Sequence, residues 1–286
     1  MRKFKNILLA FPALILIVLI VIVPVIATAF YSFTDWSGFS NVFTFVGFSN
    51  YQNILTEGEF WLAFLNNVKW TIFFITVPVA LSLIAAVSMD NVPSKAKSFF
   101  KMLFFMPYIL PTVVVARIWQ TLFFDPHYGI IHSIPLLDSI HYLDSTSMAL
   151  WTVAIINLWA WWGFLAVVFS AAIDQVDRTY YEAAQVEGAN RWQTFLYVTL
   201  PMIFPTALFM EIMTVIWSFL VFDWIYIITT GGPGGASEVL STLSYKTAFF
   251  DFNFGKSTAI AFMMTLFAAV PIGLYLFLLN RREVEA

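Results

Sequence analysis

The sequence predicts an all-α polytopic membrane protein with about six transmembrane helices, and three observations predict it. Of the 286 residues, 60% are hydrophobic and 11% charged, with a mean hydropathy of +0.83. A soluble domain carries about 25% charged residues, so this chain cannot clothe itself for water. About six apolar runs reach the roughly 20 residues needed to cross about 30 Å of hydrocarbon. Lysine and arginine are shared unequally between the segments that join those runs. One integral domain over residues 1–286 is the economical reading.

The runs fall at about 7–30, 68–89, 102–123, 148–172, 203–228 and 258–279. In lipid every backbone N–H and C=O must be bonded within its own segment, which makes each run a helix. A barrel would instead show short alternating segments. The first run follows Arg2, Lys3 and Lys5 and ends near Ala27-Thr28-Ala29, which imitates a cleavable signal. At about 24 residues it exceeds the apolar region of a signal, and an uncleaved helix is expected.

With the N-terminus inside, the inner segments hold Arg2, Lys3, Lys5, Lys95, Lys97, Lys101, Arg178, Arg191, Arg281 and Arg282. The outer segments hold Lys246 and Lys256, and residues 124–147 contain neither Lys nor Arg. The positive-inside rule then sets both termini in the cytoplasm of a multi-pass cell-membrane protein. The chain has no cysteine, which excludes disulfides, thiolate catalysis and cysteine-held metal. His127, His132 and His141 share one short polar loop, and no metal site is expected.

Residues 174–201 are too polar to span and too helix-prone for a plain linker. Thr179 followed by Glu182 predicts a capping box, with a second short helix from Asn190 to Thr199 after a stop at Gly188. Pro201 is expected to open the fifth span. Ala183, Ala184 and Ala189 leave a surface without bulk, and Tyr181, Trp192 and Phe195 offer aromatic anchors. The residues alone allow two readings: a docking site for a cytoplasmic partner, or a surface helix joining two spans.

Glu182-Ala183-Ala184, then Gly188, then Val198-Thr199-Leu200-Pro201 resembles the EAA loop of binding-protein-dependent ABC permeases, with Val198 in the place of Ile. The run from Phe222-Asp223 to Thr229-Thr230-Gly231-Gly232-Pro233 resembles a signature of the maltose- and glycerol-phosphate-type permeases. So do Asn157-Leu158-Trp159 and Ala116-Arg117-Ile118-Trp119 with Asp125-Pro126 and Gly129. The chain departs from that pattern at His132, where Asn is usual, at Asp177, where Pro is common, and at Glu187, where Asp is usual.

The resemblance covers nearly the whole chain. It implies the first permease of a sugar importer, moving an oligosaccharide or polyol derivative into the cytoplasm by alternating access. It also implies a second homologous permease, two ATPase subunits and an extracytoplasmic sugar-binding protein, with ATP and magnesium held by the ATPases and no cofactor here. Glu182, Ala183, Ala184, Gly188 and Ala189 would form the coupling helix seated on the ATPase. Gly231, Gly232 and Pro233 would form an outer loop or gate, the plainer alternative being a flexible connector. No nucleic-acid partner is expected.

Gly255-Lys256-Ser257 imitates the end of a phosphate-binding loop, but the glycine that must start such a loop is Phe250 here. The chain is therefore expected to carry no ATPase site. For a substrate path the candidates are Trp159, Trp162, Glu211, Trp217 and Asp223. Aromatic faces suit the C–H faces of sugars, and charges inside spans cost roughly 2.5–3.5 kcal/mol each, so they invite a role. Trp159 and Trp162 lie three apart on one helical face, where packing against a partner permease is the plainer reading. Arg117 is expected to serve the carbonyls of a helix break or a partner subunit. On an unbroken fifth helix at about 100° per residue, Asp223 and Trp217 point away from Glu211. An ion-coupled secondary transporter using Glu211 or Asp223 is the alternative. An intramembrane enzyme lacks any nucleophile, base and orienting group near Glu211.

Overall fold

A computed structural model describes residues 11–285, except 41, 91, 126, 136 and 138–141, with side chains described up to residue 273. Arg2, Lys3, Lys5, Pro126 and His141, and the side chains of Arg281 and Arg282, lie outside the described residues. Among the described residues five helices are long and apolar enough to cross a membrane, and a bent pair makes a sixth if it is counted as one span. The chain divides into two compact units, one of Met1–Trp61 with Leu240–Phe267 and the other of Leu62–Val239 with Ala268–Ala286.

The first unit opens with α1 (Phe11–Tyr31), an apolar helix whose side chains stay uncovered along most of its length. The chain then turns through a single antiparallel bridge between Thr34 and Phe45 into α2 (Ser49–Thr56). Buried Asn50 holds that turn by donating to the carbonyls of Ser32 (2.9 Å) and Thr34 (2.8 Å).

The second unit contains most of α3 (Gly58–Asp90), the pair α4 (Ser94–Ile109) and α5 (Thr112–Phe123), and α6 (Ala149–Asp174). It continues through α7 (Arg178–Val186), α8 (Arg191–Phe219) and α9 (Asp223–Ile228). The remaining helices are α10 (Leu240–Phe249) and α11 (Phe254–Glu285). One apolar cluster gathers Trp70, Phe74, Ile156 and Ile225, and another Leu165, Phe169, Ile203 and Met210.

The structure departs from the expected spans in four places. Helix α3 starts at Gly58 rather than near residue 68, because its first turns carry polar residues, Asn66 and Asn67 among them, that are buried by hydrogen bonding rather than by apolar contact.

The third span is not one helix: α4 and α5 meet at 89°. Pro111 is the reason. A residue before proline is driven out of the helical region, and Leu110 sits at φ −70°, ψ 139°.

The fifth span ends at Phe219, and Asp223 begins a separate helix. The angles expected between Asp223 and Glu211 on one continuous helix therefore do not apply.

Pro201 does not open the fifth span either. Helix α8 runs from Arg191 straight through it, by way of a wide π-turn at Phe195–Thr199 that makes room for a residue lacking an N–H.

Helices α4 and α6 pack against each other over an extended contact. Lipid offers no hydrophobic drive for such pairing, so close backbone approach must supply it. Gly163 of α6 permits this: a Cβ there would lie 2.0 Å from the carbonyl oxygen of Phe104.

Candidate transport cavity and coupling elbow

The elbow at residues 174–201 is built as a helix, a bend and a helix, but its first cap differs from expectation. Asp177, not Thr179, is the N-cap: its backbone is extended (φ −62°, ψ 129°) and its carboxylate accepts from the Thr179 N–H at 3.0 Å. Hydrogen bonds from the Thr179 side chain and backbone hold the Asp177 carboxyl below the usual carboxylate range. The departure of Asp177 from the family pattern thus creates the cap, and Glu182 stands exposed in mid-helix, released from any capping duty.

Gly188 ends α7 at φ +78°. The Gly188 N–H reaches the Gln185 carbonyl and the Ala189 N–H the Ala184 carbonyl, the two bonds of a Schellman stop. A capping box does occur, one helix later, between Asn190 and Gln193.

This elbow shows its bulk outward. Val186 is 87% and Trp192 67% exposed, with Glu182, Ala183 and Gly188 exposed and Ala184 and Ala189 half-buried. Val176 and Tyr181 turn inward onto the Leu165–Met210 cluster, and the Tyr181 hydroxyl accepts from buried Thr199 at 3.4 Å. Apolar side chains on a polar segment, presented rather than packed, mark an interaction surface.

The two helix breaks share one purpose. A cavity of about 240 Å³ is bounded by Leu110 and Thr112 from the first break and by Leu220, Val221 and Asp223 from the second. Irregular backbone at membrane depth is tolerated where it lines such a cavity. Its walls carry Tyr108, Asn157, Thr214 and two indoles, Trp161 and Trp217, which meet edge-on at 4.7 Å between ring centres. The indole nitrogen of Trp161 is buried without a hydrogen-bond partner. The wall thus sets aromatic faces among a few polar groups.

Of the expected path residues, Trp217 and Asp223 line this cavity, whereas Trp159, Trp162 and Glu211 do not. Trp162 packs on Phe104 (4.9 Å) and Trp159 on Trp119 (5.8 Å), both in the chain's own bent third span, and Trp159 stays 38% exposed. One carboxylate oxygen of Glu211 is buried without a hydrogen-bond partner. Trp161 and Tyr108 escaped sequence reasoning as wall residues. The proline pair Pro107 and Pro111 was the available signal, since it marks the break that opens the wall.

The Gly231–Pro233 loop is held by several contacts to its own unit. Gly231 takes φ +84°, and a Cβ there would meet the Glu238 carboxylate at 2.1 Å. Ser237 donates to the Gly232 carbonyl (2.6 Å), and the Asn66 amide reaches the carbonyls of Ala236 (3.1 Å) and Glu238 (2.9 Å). Gly232 and Pro233 border a further cavity of about 450 Å³ with Arg117, Asp125 and Asp144. Arg117 donates to Gln120 (2.8 Å), and Gln120 donates to the Ile228 carbonyl (2.8 Å). The carbonyl at the end of α9 is therefore served through Gln120, and Arg117 braces that glutamine.

The false phosphate loop is spent on packing. Gly255 lets the chain approach the Thr34 carbonyl, where a Cβ would lie 1.9 Å away. Lys256 pairs with Glu57 (2.6 Å), and Ser257 donates to the Ser244 carbonyl (2.7 Å).

A helical membrane protein with broken spans around a polar-aromatic cavity and an exposed polar elbow has the architecture of a transporter permease. The chain belongs to the family of binding-protein-dependent transport system inner membrane components, whose model matches residues 79–284. It is 34% identical over 258 residues to a probable ABC transporter permease protein of Bacillus subtilis, covering 87% of each chain. It is 30% identical over 279 residues to a multiple sugar-binding transport system permease protein of Streptococcus mutans, covering 95% of this chain and 93% of that one. Its fold matches a chain of a bacterial ABC transporter involved in the import of the acidic polysaccharide alginate, with a TM-score of 0.82, 22% identity and 99% of each chain covered. The chain is thus a membrane-embedded permease component of an ABC importer, as its EAA-like elbow implied.

Proposed function

We propose that this permease carries a sugar, of the oligosaccharide or polyol class, through the Trp161–Trp217 cavity into the cytoplasm. The relative from Streptococcus mutans is named for sugars and the structural neighbour imports a polysaccharide, and the indole walls here suit the same chemistry. A second homologous permease completes the pore, and an extracytoplasmic binding protein delivers the sugar to the outer loop at Gly231–Pro233. Both termini lie in the cytoplasm. ATP and magnesium are held by two separate ATPase subunits, and this chain itself performs no hydrolysis.

The observation that carries the reading is the elbow: Glu182, Ala183 and Gly188 stand exposed beside Val186 and Trp192 on a segment fixed to the spans by Tyr181. ATP-driven closure of the ATPases moves this handle, and the spans respond as a bistable helix packing. Because the native chain has no cysteine, Ala183→Cys and Gly188→Cys provide unique crosslinking points. Each is expected to capture an ATP-hydrolysing subunit from assembled transporter. Crosslinks that find no such subunit, or labels at these positions that react from outside the cell, would refute the assignment.

A further inference from the structure

We infer that Asp90 and Arg178 form a positioning joint through which the coupling helix α7 moves three spans at once. The inference rests on the coupling reading above and adds the residues that transmit the motion. Arg178, the first residue of α7, grips Asp90 with both guanidinium nitrogens, at 3.0 and 2.9 Å. Asp90 also accepts from Lys97 (3.3 Å), Lys97 pairs with Asp174, and Lys101 pairs with Asp174 at 2.8 Å. Five alternating charges therefore join the end of α3, the start of α4, the end of α6 and the start of α7. The two central side chains are largely covered, Lys97 at 13% and Asp90 at 15% exposure.

The placement of these charges argues for a purpose beyond local helix stability. A helix favours anions at its N-terminus and cations at its C-terminus. Here Asp90 and Asp174 stand at C-terminal ends, and Lys97 and Arg178 in first turns. Each opposes the dipole of its own helix, and each is compensated by a charge on another helix. The compensation exists only while the helix ends stay together. A lone exposed pair holds little, but a bidentate guanidinium fixes direction as well as distance, and the covered members Asp90 and Lys97 are less open to screening by salt than exposed Arg178. A push on α7 therefore reaches α3 directly, and α4 and α6 through Lys97.

The test uses the transporter assembled with its ATPases and partner permease in nanodiscs, carrying Asn157→Cys as the only cysteine of this chain at the cavity wall. Alkylation of that cysteine by a membrane-impermeant maleimide is read as a mass shift, with and without Mg-ATP trapped by vanadate. In the otherwise native chain trapping should change the rate at least tenfold. Asp90→Asn and Arg178→Gln should keep Mg-ATP hydrolysis within twofold yet reduce the trapping response to less than twofold. Arg178→Lys, which keeps the charge without the fork, should restore a response between the two.

An assembled Asp90→Asn or Arg178→Gln transporter with the native response overturns the joint, and so do equal responses from Arg178→Lys and Arg178→Gln. If Asp90→Asn does not assemble, the Arg178 pair decides, since Arg178 is 60% exposed and its loss leaves no cavity. Absence of any response in the native chain, or failure of Ala183→Cys to capture an ATPase, instead removes the coupling reading itself.

Discussion

The side-chain amide of Asn67 donates to the carbonyl of Ser218 at 2.9 Å, deep in the second unit, where both residues are buried. Ser218 lies one residue before the helical ladder of α8 stops at Phe219. A carbonyl near a helix end must find another donor, and α3 supplies it. The neighbouring Asn66 binds the outer loop. One turn of α3 therefore supports both the break that opens the cavity and the loop beside it.

Replacing Asn67 tests this support. Asn67→Leu leaves the Ser218 carbonyl buried without that donor, at a cost of about 1–3 kcal/mol. The expected result is a lower thermal midpoint in detergent or nanodiscs, together with faster proteolysis near residues 219–223. A midpoint equal to that of the native chain would show that the break sustains itself.

The outer loop separates two glycines of similar backbone. Gly231 has φ +84° and faces the Glu238 carboxylate, whereas Gly234 has φ +56° and open space around it. Both pay roughly 1–2 kcal/mol of left-handed strain when given a side chain, but only Gly231→Ala also collides. Gly231→Ala should therefore expose the loop to protease and Gly234→Ala should leave it largely protected. Equal cleavage of the two would remove the packing argument.

Close approach of α4 and α6 depends on Gly163. Gly163→Ala forces the Phe104 backbone aside, an overpacking cost of about 1–3 kcal/mol. Spin labels on the two helices should report a wider separation and the protein should unfold at lower temperature. Unchanged distances would mean that the helices slide without loss.

Acid should loosen the elbow through its cap. The Asp177 carboxyl titrates below its ordinary value because Thr179 binds the charged form. Its contribution is present above the unfolded carboxyl pKa of about 3.9 and is lost as pH falls through the lower folded value. Asp177→Asn caps without titrating, so the first turn of α7 should keep its hydrogen-exchange protection at acid pH in that variant and lose it in the native chain. Parallel loss in both would assign the acid sensitivity elsewhere.

Much of this was legible in one dimension because the bilayer imposes length and polarity on every span. Apolar runs marked the membrane-length helices, the fourth to within two residues of Ala149–Asp174, without showing the breaks in the third and fifth, and the EAA-like spacing marked the elbow and its stop at Gly188. Asp177 was a smaller lesson: any of Asp177, Thr179 or Asn190 is a good cap by type, and only backbone geometry chose among them.

The sequence by itself determined the class, the approximate number of membrane-length helices and the place of the elbow, since these follow from hydrophobicity and local helix signals. Tertiary structure alone decided that two spans break and meet, that Trp161 and Trp217 face a shared cavity while Trp159 and Trp162 pack against the third span, and that Asp90 meets Arg178. Those relations join residues far apart in the chain, and their strength comes from desolvation and geometry that no local pattern encodes.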